Sequence, residues 1–195
     1  MNRLRNEIAN GVIVYDNAMD GDFVVEAVEA EANNPNSIYG WDWSGTGPNS
    51  HQGDYRTSYS FPLESILDPN NDHSLRDEMR NEVIGKLSVM YNDYTSRFIV
   101  DTGFTEPPSV LKYVAGGRYR THSDAGPTMH RIISCVGCLG NTATGGDLEF
   151  PLIDLKIRLE KNQFIMFPSN FMYQHYAHPV NDGVKYSLVT WWGVK

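Results

Sequence analysis

The sequence predicts a mainly β protein with flanking helices (α+β), its strands folded into a sandwich or jelly roll. Three observations carry this. Short apolar runs broken by Gly- and Asn-rich turns crowd the chain from about residue 105 onward. The clearest helical periodicity lies before them, between residues 75 and 94. Aromatic residues make up 12% of the chain, including 11 Tyr and 4 Trp, a share that suits either packed strands or a binding groove. The 195 residues fit a single domain over 1–195, with a strand, helices and a loop region in 1–104 and the main part of the β core in 105–195.

In chain order, segment 11–16 reads as an opening strand. Asp20 or Asp22 then caps a helix that runs through Phe23, Val24, Ala27 and Val28 to about Ala32. Residues 33–59 are rich in Gly, Asn, Ser and Trp without periodicity, and a loop of that length tends to be functional. Leu75, Met79, Val83, Leu87, Met90 and Tyr94 recur every three or four residues and mark the second helix. Ser74 with Asp77 resembles a capping box with Asp in place of Glu. After Thr105-Glu106-Pro107-Pro108 the strands are 110–114, 131–138, 147–150, 156–159, 164–167 and 185–192. Gly116-Gly117 and Gly145-Gly146 are turn formers between them.

Charge and composition exclude several functions. With 24 acidic and 16 basic residues the net charge is −8, which argues against a chain-wide grip on nucleic acid. No apolar stretch approaches the roughly 20 residues of a membrane span. The opening Met1-Asn2-Arg3-Leu4-Arg5-Asn6-Glu7 is not followed by an apolar signal core, so a cytoplasmic location is expected. The two cysteines, Cys135 and Cys138, form a CxxC without a second copy. On a strand, i and i+3 point to opposite faces, so they read as small buried residues of a reduced protein.

The chemistry concentrates at Thr121-His122-Ser123-Asp124. On an extended segment, i and i+2 share a face, so His122 and Asp124 can reach one metal. A third ligand is available beyond segment 164–167, where His175 and His178 both stand in Tyr173-Gln174-His175-Tyr176-Ala177-His178-Pro179. Two His and one carboxylate are the ligand set of non-haem Fe(II) oxygenases, with three octahedral positions left open. In 185–192, strand parity puts Lys185, Ser187, Val189 and Trp191 on one face. A lysine buried on an inward face needs an anion, which a dicarboxylate co-substrate would supply.

These stretches together resemble the prolyl 4-hydroxylase-like branch of the Fe(II)/2-oxoglutarate dioxygenases. The matching residues are Leu111 through Asp124, then Gly145-Gly146-Asp147-Leu148-Glu149-Phe150-Pro151, Phe167-Pro168-Ser169, His175 through Val180, and Gly183 through Val189. Arg56-Thr57-Ser58 resembles a short motif the family carries beside its peptide-binding region. The family usually has Glu where Asp147 stands, a conservative departure. The resemblance implies a double-stranded β-helix (jelly-roll) core with helices on its outside. It implies Fe(II) held by His122, Asp124 and His175, the last chosen over His178 by its place four residues before the Pro of Pro179-Val180. It implies Lys185 on the far carboxylate of 2-oxoglutarate, Tyr113 as a second co-substrate contact, and Trp191 lining the iron pocket. O2 is the oxidant and ascorbate a further candidate cofactor.

The expected substrate is peptidyl proline, with Arg56, Trp41, Trp43 and Tyr59 as candidate contacts. The aromatic residues of this group, with Tyr55, suit stacking on proline rings, and equally a lid over a small molecule. The alternatives are hydroxylation of a free amino acid or other small molecule, and a non-catalytic jelly-roll binding protein. Arg131 is a further cation without an assigned role. His51, His73 and His130 read as solvated or turn residues.

Overall fold

The computed structural model describes residues 5–44, 55–64 and 74–194, without the side chains of residues 74–76 and 141. The expectations for His51, His73, the Ser74–Asp77 cap and the 45–54 part of the loop lie outside the described residues. In chain order the elements are β1 (Arg5–Ala9), β2 (Val12–Tyr15), α1 (Gly21–Ala32), β3 (Asp42–Trp43), β4 (Tyr59–Pro62), α2 (Ser74–Phe98), β5 (Phe104–Thr105), β6 (Ser109–Tyr113), β7 (Tyr119–His122), β8 (Arg131–Asn141), β9 (Thr144–Gly145), β10 (Leu148–Phe150), β11 (Leu155–Ile157), β12 (Phe164–Pro168), β13 (His175–Ala177), β14 (Val180–Asp182) and β15 (Lys185–Gly193).

The strands form a nine-stranded sheet in the order β1-β2-β12-β8-β15-β6-β4-β3, with β5 also on β15, and a four-stranded sheet in the order β11-β10-β13-β7. A small β14-β9 pair joins them. All these pairings are antiparallel. Two facing antiparallel sheets with helices outside make the jelly-roll core expected of the family.

Sequence explains why the larger sheet is sandwiched. Val12, Ile13, Val14 and Tyr15 are buried without a break, as are Phe164, Ile165, Met166 and Phe167. A strand covered on one face alternates, and one covered on both reads as a continuous apolar run. Val12, Val14, Ile165 and Phe167 pack inward against Leu148 and Phe150 of the smaller sheet. Ile13, Phe164, Met166, Ile133 and Cys135 pack outward beneath the helices. Cys135 and Cys138 accordingly fall on opposite faces, both buried and both free thiols. Phe164 lies opposite Gly137 of β8, and a Cβ there would stand 2.1 Å from its ring, so only glycine lets the ring lie on the strand.

The helices obey their sequence signals. Asp20 is the N-cap of α1, its side chain accepting from the Phe23 amide at 3.2 Å. Asn33 closes the helix through its side-chain bond to the Glu29 carbonyl. In α2, Met79, Val83, Leu87, Met90 and Tyr94 form the buried stripe that the periodicity foretold. α2 ends where Ile99 takes a left-handed conformation at φ 53°.

Two expectations need correction. The 1–104 part adds more to the core than the one opening strand expected of it, because β1, β2, β3 and β4 all enter the larger sheet and β2 pairs directly with β12. The 33–59 region is not loop throughout either. Trp43 and Tyr59 pair across β3 and β4, ring centroids 5.3 Å apart, and extend the sheet edge.

Candidate metal centre

The centre lies at one end of the two sheets, where β7 and β13 are hydrogen-bonded neighbours. His122 ends β7 and His175 begins β13, and the two are paired residues in the ladder. Sheet register, not sequence proximity, therefore brings the two imidazoles together, with ring centroids 4.2 Å apart. Asp124 lies just beyond β7, in irregular backbone. The side chains of His122, Asp124 and His175 are 10%, 5% and 6% exposed. Their ligand atoms all lie within 4.8 Å of one another.

The hydrogen bonds prepare this trio for a cation. His122 Nδ1 lies 2.8 Å from the Arg120 carbonyl oxygen, and His175 Nδ1 lies 3.1 Å from that of Tyr173. A carbonyl can only accept, so each Nδ1 carries a proton, which leaves Nε2 as the nitrogen that can offer a lone pair to a metal. Those Nε2 atoms face Asp124 at 3.5 and 3.7 Å, beyond good hydrogen-bond reach. Burial, partly offset by Asp124, pushes the His175 pKa down to about 4, so the ring is neutral. Burial opposes ionisation of Asp124. A hydrogen bond from Ser134 Oγ favours the carboxylate. The two Nε2 atoms and the carboxylate converge in an arrangement suited to a divalent cation. Neutral imidazoles with Nδ1 tied to backbone carbonyls are the usual form of metal-ligating histidine.

His178 is not brought to the trio. It pairs with Glu149, stacks near Tyr176, and its amide donates to the Asp147 carbonyl at 2.8 Å. Asp147 faces Lys156 and Arg158.

A cavity of about 300 Å³ extends from the trio between the sheets. Lys185, Ser187, Val189 and Trp191 all line it, as strand parity requires. Leu111, Val136, Leu148 and Leu159 give it an apolar wall. Lys185 is 8% exposed and pairs with Tyr113 across β15 and β6, its Nζ 5.8 Å from the ring centroid. Its Nζ donates to the Gly146 carbonyl, and among the described residues it has no salt-bridge partner. Gly146, at φ 75°, lets that carbonyl close on the lysine, since a Cβ would sit 3.2 Å from the Lys185 stem. Burial lowers the Lys185 pKa. The same cause raises that of Tyr113, which Arg56 and Ser58 partly offset.

Arg56 also lines the cavity. Its guanidinium lies over the Tyr119 ring at 4.8 Å, and Tyr119 also stacks on His122 at 3.6 Å. Arg56 bonds Ser58 Oγ at 3.1 Å, and Thr57 exchanges backbone and side-chain bonds with Arg118. The motif thus braces both the Tyr113 region and the His122 ring. Arg131 forms an ion pair with Glu106 and lies over Trp191 at 3.7 Å. The Trp191 Nε1 is buried without a partner among the described residues.

The other aromatic candidates stand elsewhere. Trp41 packs on the helix side of the larger sheet, against Phe61 and Tyr186, with Nε1 donating to Glu29 at 3.3 Å. Glu29 also takes Lys112 at 2.7 Å and the Tyr186 hydroxyl at 2.6 Å, which ties α1 to the sheet. Trp43 and Tyr59 do not line the cavity. Tyr119 and Ser169 lie in the stretches that resemble the family but were given no role, and Ser134 was not anticipated. A serine at inward parity in an apolar strand, as Ser134 is beside Val136, is the signal that marks such a residue.

Residues 108–193 match the sequence model of the 2OG-Fe(II) oxygenase superfamily, a span that contains all three converging ligands and Lys185. No curated protein matches the sequence. The fold is similar to a Pseudomonas putida prolyl-4-hydroxylase (TM-score 0.68, 14% identity, 95% of this chain and 93% of that one). It is similar to a Trichoplax adhaerens prolyl hydroxylase in complex with a hypoxia inducible factor oxygen degradation domain peptide fragment (TM-score 0.71, 15% identity, 95% and 84%). It is also similar to the viral collagen prolyl hydroxylase of Paramecium Bursaria Chlorella virus-1, in its 2OG complex (TM-score 0.66, 17% identity, 97% and 100%). At such identities the likeness is one of fold.

Proposed function

We propose that the chain, a 2OG-Fe(II) oxygenase by its match over residues 108–193, is a prolyl 4-hydroxylase-like dioxygenase acting on peptidyl proline. The observation that carries the reading is the convergence of the His122 and His175 Nε2 lone pairs on Asp124 in the cavity that also holds the carboxylate-free cation Lys185. The donor set fits Fe(II). Bound iron, with 2-oxoglutarate and O2, supplies the oxidation: one oxygen atom enters a substrate C–H bond, the other enters succinate, and CO2 leaves.

The chain's own residues do the rest. His122, Asp124 and His175 hold the metal. Lys185 anchors the far carboxylate of 2-oxoglutarate as a point charge, with Tyr113 beside it. The apolar wall of Leu111, Val136, Leu148 and Val189 excludes water around the co-substrate. Arg56 and Trp191 flank the reacting end, and Arg56 holds Tyr119 against His122. A peptide as substrate draws support from the neighbours described as a complex with a peptide fragment and as a collagen prolyl hydroxylase. The cavity of about 300 Å³ favours a second reading, hydroxylation of a free amino acid or other small molecule. A reducing, cytoplasmic setting suits a protein that works with Fe(II).

The test is incubation with Fe(II), 2-oxoglutarate and ascorbate against proline-containing peptides and free amino acids in parallel, read by mass spectrometry. A gain of one oxygen on peptidyl proline, with one succinate formed per hydroxylation, is the expected result. Oxygen gained only on a free amino acid selects the second reading, and no substrate-dependent succinate formation in either arm overturns the enzymatic reading for these substrates.

A further inference from the structure

Two buried serines beside the metal centre have no role in the reading above. Ser134 of β8 is 0% exposed, and Ser169, just past β12, is 1% exposed. A buried hydroxyl persists only if its bonds are satisfied. Ser134 Oγ donates to Asp124 Oδ2 at 2.7 Å and lies 2.8 Å from Ser169 Oγ. Each hydroxyl has one proton, and that of Ser134 goes to the carboxylate, so Ser169 supplies the proton between the serines. The Ser169 backbone closes the arrangement. Its carbonyl accepts from Ser123 Oγ at 3.1 Å and from the Ala125 amide at 2.9 Å, and its amide donates to Ile132 at 2.8 Å. The residues on either side of Asp124 are therefore tied to the serine whose hydroxyl supports Ser134.

This matters because Asp124 stands outside any strand. The ladder holds His122 and His175, whereas the carboxylate is free to turn about its own bonds unless something fixes it. A carboxylate can also meet a divalent cation through one oxygen or both. We propose that the Ser134–Ser169 hydroxyl pair fixes the plane of the Asp124 carboxylate and engages Oδ2, leaving Oδ1 as the one oxygen given to the metal. Ser134 is then a positioning residue, and the hydroxyl pair keeps a coordination position from being taken by the second carboxylate oxygen. This rests on the metal-binding reading above.

The experiment uses the full chain in metal-free form, titrated with Co(II) and read by visible absorption, with thermal melting of the metal-free protein as a control on folding. Ser134→Ala should weaken Co(II) binding by about tenfold or more, the range for residues that orient metal ligands. It should also change the intensity of the Co(II) bands, because a freed carboxylate alters the coordination number. Ser134→Thr keeps the hydroxyl and should restore both. Ser169→Ala removes only the supporting donor, should give a smaller change in the same direction, and substitutes for Ser134→Ala if that variant fails to fold. Wild-type affinity and spectrum in the alanine variants overturn the proposal while leaving the metal site intact. Absence of Co(II) binding by the wild-type protein overturns the metal reading and this inference with it.

Discussion

Lys185 is a buried ammonium whose protein partner is one carbonyl oxygen, and that is an expensive way to keep a charge. Its lowered pKa is the measurable trace of this, with burial as the leading cause. A dicarboxylate entering the cavity needs the ammonium form and raises the pKa of the lysine that holds it. Affinity for 2-oxoglutarate should therefore be level below the depressed Lys185 pKa and fall above it, by about tenfold per pH unit, with the decline setting in below the ordinary lysine range. Anaerobic titration of the Fe(II) complex with 2-oxoglutarate, followed by its visible absorbance from about pH 7 to about pH 10, measures this. A profile still level at the alkaline end, or one that Lys185→Ala leaves unchanged, removes the lysine from the role. The parity of segment 185–192 made this residue legible, because a regular strand gives each side chain a face. Trp41 was misplaced for the converse reason. It lies in irregular chain, where no period says which face an aromatic ring will join.

At the scale of elements, the long apolar runs were readable and the short pairings were not. β2, β8, β12 and β15 carry enough apolar residues to identify themselves. β3, β5 and β9 are two residues each, and their pairing comes from the tertiary fold rather than from local pattern. The polar β1 is an edge strand and looks like a surface segment. α2 was the clearest signal in the chain, yet its ending was not foreseen, because Ile99 is a poor residue for a left-handed position. Its side chain is 93% exposed, so little packing compensates the strain. Ile99→Gly should therefore stabilise the protein by about 1 kcal/mol, since left-handed backbone costs a β-branched residue about 1–2 kcal/mol and suits glycine at this position. The melting temperature should rise by roughly 2–4 °C. An unchanged or lower value would mean that the exposed isoleucine is held by something beyond the backbone.

On the proposed function, the whole molecule couples its stability to its metal. His122 and Asp124 lie on and just beyond β7, His175 on β13, and Ser134 on β8, so the site spans both sheets. A cation that binds only when all three ligands are assembled must stabilise the fold. At a hundredfold excess over its Kd the gain is about 2.7 kcal/mol, or roughly 5–10 °C in melting temperature for a chain of this size. Thermal melts with and without Mn(II) check this. His175→Ala should lose the shift and His178→Ala should retain it, because His178 is committed to Glu149 outside the trio. The reverse outcome would move the third ligand to His178. Sequence reading picked out the three residues that converge because the HxD spacing and the family pattern are local. It missed Ser134 and Ser169 because their meaning depends on two strands meeting in space.

β15 lies between β8 and β6 in the middle of the larger sheet, yet it follows every other strand in chain order. During synthesis, β8 and β6 therefore wait with open edges until β15 has been made. The three metal ligands are all made before it, but the strand that supplies Lys185 and closes the sheet is not. A nascent chain can thus carry every ligand and still lack the walls that would contain an oxidising centre. Closure of the larger sheet and the cavity lysine arrive with the same nine residues, and the edges left unpaired until then are exposed to aggregation.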